Sequence, residues 1–123
     1  MSENRGYISD IDEKGSVNIS EEVVAVIAGA AAMEVEGVFA LAASAGKDIA
    51  QMLSKKSLTK GVRIQSEDKV ITVDILILVR MGYAVSEVGA AVQKAVSDAV
   101  ESATGFRVAA VNVNICGIAL RKA

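Results

Sequence analysis

With 123 residues, 52% of them hydrophobic and 23% charged, the chain is long enough for one domain with a real core and too apolar to be disordered. A net charge of −2 and a pI near 5.1 give it no general pull toward nucleic acid or anionic lipid. No apolar run reaches the ~18 residues a membrane span needs; the longest, Val23–Met33, ends at Glu34.

Residues 1–14 are polar and mildly acidic and read as a mobile tail. They lack the apolar stretch of a secretory signal. The single cysteine, Cys116, rules out an internal disulfide and fits a reducing cytosol. Gly15–Ile19 is a short strand candidate. Ser20 then has the makings of a helix N-cap, with Glu21 and Glu22 in the first turn and Ile19 and Val24 placed as a hydrophobic staple. The helix should run to about Met33. Asn18-Ile19-Ser20 also matches a glycosylation sequon, but without a signal the capping role is preferred. Glu34–Ala42 changes to period two, with Val35, Gly37, Phe39 and Leu41 alternating, and predicts another strand.

From Ala43 to Lys60 the composition shifts to Ala, Ser, Gly and Lys. This stretch predicts a mobile loop holding one short helix on Ile49, Met52 and Leu53. Gly61–Ser66 should form a hairpin with the stretch that organises the chain, Lys69–Arg80. There Ile71, Val73, Ile75, Ile77 and Val79 make one unbroken aliphatic face, each burial contributing roughly 1.5–3 kcal/mol. Parity of the apolar positions suggests Ile64 opposite Ile71 and Val62 opposite Val73.

A long helix is predicted from Val85 to Thr104, with Val85, Val88, Val92, Val96, Ala99, Val100 and Ala103 as its apolar stripe and Gly105 as its left-handed stop. The last strand covers Arg107–Gly117. Ala109, Val111, Val113 and Ile115 are expected on its inner face, and Asn112, Asn114 and Cys116 on its outer one. The order is β-α-β followed by β-β-α-β: one α+β domain over residues 15–118, helices mainly on one face of a mixed sheet, with residues 119–123 as a tail. A helix joining the central strand to the last one implies a parallel crossover.

That arrangement leaves Thr72, Asp74, Leu76, Leu78, Asn112, Asn114 and Cys116 on the far side of the sheet. Leu76 and Leu78 are too apolar to stay bare, so either the 43–60 helix or another subunit should cover them. Leu76, Leu78, Asn112 and Asn114 are therefore the candidate interface.

Catalytic chemistry is thinly represented. The chain has no histidine, the commonest general base and imidazole metal ligand. Cys116 has no histidine or second cysteine beside it and reads as a small buried apolar group. Glu34 and Glu36 would share a strand face as paired carboxylates could, but with no partner acid or base and no evident cleft the solvated edge is preferred. Neither a Walker loop nor GxGxxG is present. The sheet-and-helix outline is similar to that of KH domains, but their GXXG clamp is missing. No catalytic, cofactor-binding or metal-binding residue is assigned. Lys55, Lys56, Lys60 and Arg63 form the one basic cluster, a candidate contact for an anion or partner.

The strings GSVNISEEVVAVIAGAAAMEVEGV, KKSLTKGVRI and DILILVRMGYAVSEVGAAVQKAVSDAVESATGFRVAAVNVNICGI together resemble the bacterial alkaline shock protein family, envelope-stress-response proteins of Gram-positive bacteria. The resemblance spans about residues 15–118. Its most specific pieces are Ile27-Ala28-Gly29, Glu36-Gly37-Val38, Lys60-Gly61-Val62, Gly82-Tyr83, Ser86-Glu87-Val88 and the Thr104-Gly105 to Val111-Asn112-Val113 ending. It implies a small cytosolic or membrane-peripheral α+β protein without catalytic residues. It further implies self-association and ties to envelope homeostasis, stress and lipid metabolism. The expected function is a non-enzymatic scaffold or regulatory protein that self-associates and docks other proteins. The alternative is a nucleic-acid-binding module using Lys55, Lys56, Lys60 and Arg63.

Overall fold

The aliphatic face of the central stretch is realised in a strand over Val70–Arg80, here β5. Ile71, Val73, Ile75, Ile77 and Val79 are all fully buried, whereas Leu76 between them is 40% exposed. The computed structural model describes residues 7–42 and 61–120. The helix expected on Ile49, Met52 and Leu53 lies outside the described residues.

Around β5 the chain runs β1 (Tyr7–Asp12), β2 (Gly15–Ser20), α1 (Glu21–Met33), β3 (Val38–Leu41), β4 (Val62–Glu67), β5, α2 (Val85–Thr104) and β6 (Arg107–Ala119). It is an α+β domain with a two-stranded and a four-stranded sheet. β3 and β4 pair antiparallel with β5, and β6 pairs parallel to it along its whole length. Because β6 fills one edge of β5 throughout, β3 and β4 must share the other, end to end. Leu41 pairs with Ile77 and the Gly61 carbonyl accepts the Leu76 N–H at 2.9 Å. The chain thus leaves the edge after Ala42 and re-enters it beside the same point at Gly61. A Cβ on Gly61 would sit 3.2 Å from the Leu76 carbonyl oxygen, so the close approach of the two backbones favours glycine there.

Both described helices cover the face bearing the odd residues of β5. α1 contributes Val24, Ala25, Ala28, Gly29 and Ala32, and α2 contributes Val88, Val92, Val96 and Val100 at helical spacing. Side chains this small let the helices lie close to the sheet and to each other. Ser20 caps α1 as expected, its Oγ accepting from the Glu22 and Val23 N–H groups at 3.0 and 3.2 Å. Gly105 ends α2 at φ 78°. The stripe of α2 is shorter than expected, since Val85 and Ala103 at its ends are exposed.

Several expectations need correction. Tyr7–Asp12, placed above in a tail over residues 1–14, is a strand paired in full with β2. Ile8 is buried in the core, and Lys69 Nζ holds Asp10 at 2.9 Å. The strand expected over Glu34–Ala42 begins only at Val38. Glu34 is the C-cap of α1, and Gly37 at φ 99° breaks any extended ladder before it. The hairpin keeps its parity, but its register is two residues further along, with Ile64 opposite Val73 and Val62 opposite Ile75. Its turn is Asp68-Lys69, both at positive φ (53° and 66°), the twist that suits a two-residue hairpin. In β6 the register slips between Val108 and Ala110 and again between Ile115 and Gly117. Ala109 and Cys116 are therefore bulge residues. Ala109 is exposed rather than inward, and Cys116, expected to be buried, is exposed as well. β6 also runs on through Ala119, past the expected end of the domain.

Candidate functional site

The face of the sheet turned away from both helices is built from the even residues of β5 and their neighbours across the ladder. Cross-strand pairing sets Asp74 between Arg63 and Asn112, and Leu76 beside Asn114. Asn112 Nδ2 donates to Asp74 Oδ1 at 2.7 Å, so the carboxylate is tied to the neighbouring strand. Leu76 is 40% exposed, Leu78 is half-buried, and Asn112 and Asn114 are open to solvent. The four candidate interface residues thus lie on one face. A Cβ at Gly117 would come 3.3 Å from Leu78 Cδ2, so Leu78 lies over the backbone of β6. The result is a shallow face, apolar along Leu76 and Leu78 and amide-lined beside them.

The basic cluster divides differently. Arg63 is exposed on β4, while Lys55, Lys56 and Lys60 lie outside the described residues. Glu34 and Glu36 do not form a carboxylate pair on a strand. Glu34 caps α1, and Glu36 Oε2 accepts the Tyr83 hydroxyl at 3.1 Å. Cys116 Sγ donates weakly to the Asn114 carbonyl at 3.7 Å. Among the described residues no group of three His, Cys, Asp or Glu side chains could hold a metal ion, and no helix is long and apolar enough to cross a membrane. A depression of about 460 Å³ lies at the hairpin end, lined by Gln65, Ser66, Glu67, Asp68, Val70 and Thr72.

Two exposed contacts on the surface are sensitive to base. Lys69 is held above its ordinary value of 10.5 by its hydrogen bond to Asp10 and then by the carboxylate's charge. Tyr83 is held above 10.0 by its hydrogen bond to Glu36 and then by that charge. In both, the folded protein prefers the protonated form. Their contribution is therefore complete below the unfolded values and fades as pH climbs through the folded ones. Urea midpoints measured from pH 9 upward should fall beyond pH 10, and Tyr83→Phe should flatten part of that fall. A variant whose profile overlays the parent's would remove Tyr83 from the account.

One region had no counterpart among the expected site residues: the outer edge of β6. Its signal was present in the sequence, since Val108–Leu120 contains neither a charge nor a proline.

Residues 9–120 match the model of the alkaline shock protein family, described as having a cell envelope-related function. Over 104 residues the chain is 33% identical to the uncharacterized protein YqhY of Bacillus subtilis, covering 85% of this chain and 77% of that one. It is 34% identical to YloU of the same organism over 106 residues, 85% and 88% of the two chains. Spy1535 of Streptococcus pyogenes serotype M6, also uncharacterized, is 38% identical over 109 residues, 88% and 82%. No solved structure matches the chain. With a family match over nearly its full length and relatives above 30% identity, the chain belongs to the alkaline shock protein family, whose function is related to the cell envelope.

Proposed function

We propose that this protein is a non-enzymatic scaffold that associates with itself and docks other proteins. On this reading it serves envelope homeostasis, stress tolerance and lipid metabolism from the cytosol or the membrane periphery. One observation carries the docking role: the sheet face bearing Leu76, Leu78, Asn112 and Asn114 lies opposite both described helices and leaves Leu76 40% exposed. Apolar side chains rimmed by amides and a tied carboxylate suit a protein surface of modest size. Cross-linking in cells followed by purification tests it, with the parent compared against Leu76→Asp. The variant should lose the specific cross-linked proteins while keeping the parent's melting temperature. Identical sets of captured proteins would remove this face from the docking role.

A further inference from the structure

β6 forms one edge of the four-stranded sheet, and β3 with β4 the other. On one side it pairs with β5, and among the described residues no strand pairs with its other side. The Leu76 N–H turns toward β4, where it meets the Gly61 carbonyl, so the odd residues of β5 bond to β6. Parallel pairing of Val73 with Val111 and Ile75 with Val113 then directs Ala110, Asn112 and Asn114 at β5. The N–H and C=O groups of Val111, Val113 and Ile115 face outward. Gln93 Nε2 confirms the direction by donating to the Val111 carbonyl at 3.1 Å.

An unpaired edge normally carries lysines, prolines or inward charges that block pairing with another chain. The strand itself carries none over Val108–Leu120; the one carboxylate on the edge among the described residues, Glu101 of α2, accepts the Val108 N–H at 2.8 Å, before the run that starts at Ala110. Its two bulges, at Ala109 and Cys116, leave a regular run, Ala110–Ile115, between them. Within it the side chains repeat as Val111-Asn112-Val113-Asn114-Ile115, a pattern that reads alike in both directions about Val113. Asn112 and Asn114 are exposed, and Ile115 is 36% exposed.

The geometry points to a second copy of this chain as the partner of that edge, β6 against β6, antiparallel, with the two-fold axis at Val113. Val113 then faces its own copy, Val111 faces Ile115, and Asn112 faces Asn114. The odd, helix-side row becomes wholly aliphatic across the junction, and the even row becomes an amide ladder. All outward N–H and C=O groups of Val111, Val113 and Ile115 fall in hydrogen-bonded pairs, joining the sheets of the two copies into one. The Val111 carbonyl has a second lone pair to offer beside Gln93. A slip by one residue would set valine against asparagine and mix the faces. A self-complementary strand suits a closed two-fold pair better than a foreign peptide. This inference rests on the self-association proposed above and adds the surface and the register.

Sedimentation of the parent should show a dimer, and Val113→Pro should sediment as a monomer. Proline is tolerable there because the Val113 N–H points away from β5, so circular dichroism and melting should stay near the parent's. Should that variant fold poorly, a cross-link decides. In a Cys116→Ser background, Val113→Cys should oxidise to a disulfide dimer, since a hydrogen-bonded pair sets the Cα atoms about 5.5 Å apart. Ala110→Cys in the same background should not, being several residues from its copy. A parent that dimerises while Val113→Pro dimerises equally, or Ala110→Cys cross-linking as well as Val113→Cys, overturns the edge and leaves self-association standing. A parent monomeric at every concentration overturns both.

Discussion

Replacing Ile75 with alanine should destabilise the domain by about 2–5 kcal/mol, whereas Thr72→Ala on the same strand should cost on the order of 0.5 kcal/mol. Ile75 is fully buried, between Val62 on β4 and Val113 on β6, with the helices above. The fully buried residues that α1 and α2 bring to the same core are valines and alanines, short side chains poorly able to fill the space left behind. The removed methylenes therefore leave a cavity as well as a lost transfer energy. Thr72 faces the other way and is half-buried. Its loss removes a β-branched side chain from a partly wet surface and leaves no hole. Urea unfolding of both variants measures the contrast, at a concentration low enough that association adds nothing to stability. Equal shifts in the two midpoints would mean that the odd row of β5 is not the core face.

The reason β5 could be read from sequence is the same reason Ile75 should matter. Five aliphatic side chains in strict alternation have one stable arrangement, and no tertiary contact competes with it. The valines at 88, 92, 96 and 100, Ser20 and Gly105 were legible for similar local reasons. The hairpin register was not, because an alternating pattern is unchanged by a slip of two. Val62 and Ile64 meet buried partners in either register, and the turn at Asp68-Lys69 decides between them. β1 escaped notice because Ile8 and Ile11 share no period-two face; its order comes from backbone pairing with β2 and one buried isoleucine.

The sheet's far face was legible at Leu76, Leu78, Asn112 and Asn114, since parity in β5 and the middle of β6 survives folding. It failed at Ala109 and Cys116, where each bulge adds a residue and inverts the alternation beyond it. Nor could any local pattern reveal that β3 and β4 form one interrupted edge. That depends on Leu41 and Gly61 meeting beside β5, a contact between residues far apart in the chain. The same arrangement makes β6 the longest continuous free edge among the described strands, which is why its lack of charges matters.

Gly37→Ala should be the other severe substitution, at about 2–6 kcal/mol, combining about 1–3 for a side chain at positive φ with about 1–3 for overpacking. Gly37 has φ 99°, and its carbonyl accepts the Arg80 N–H at 2.8 Å, so the backbone cannot relax without releasing the end of β5. A Cβ there would lie 2.7 Å from Val88 Cγ2 and 3.0 Å from Tyr83 Cδ2. Val88 is buried and cannot retreat. Tyr83 can swing outward, but only by giving up its bond to Glu36 beside the start of α2, where Ala84 supplies no side-chain cap. Gly82→Ala separates the two parts of the penalty. Gly82 has φ 100°, yet nothing lies within 4 Å of its absent Cβ, so that variant should show the backbone part alone. Adding Val88→Ala to Gly37→Ala should then return some of the packing part, giving a double variant more stable than the separate losses sum to. Thermal midpoints that fall equally for Gly37→Ala and Gly82→Ala would show that the crowding beside Tyr83 and Val88 carries no weight.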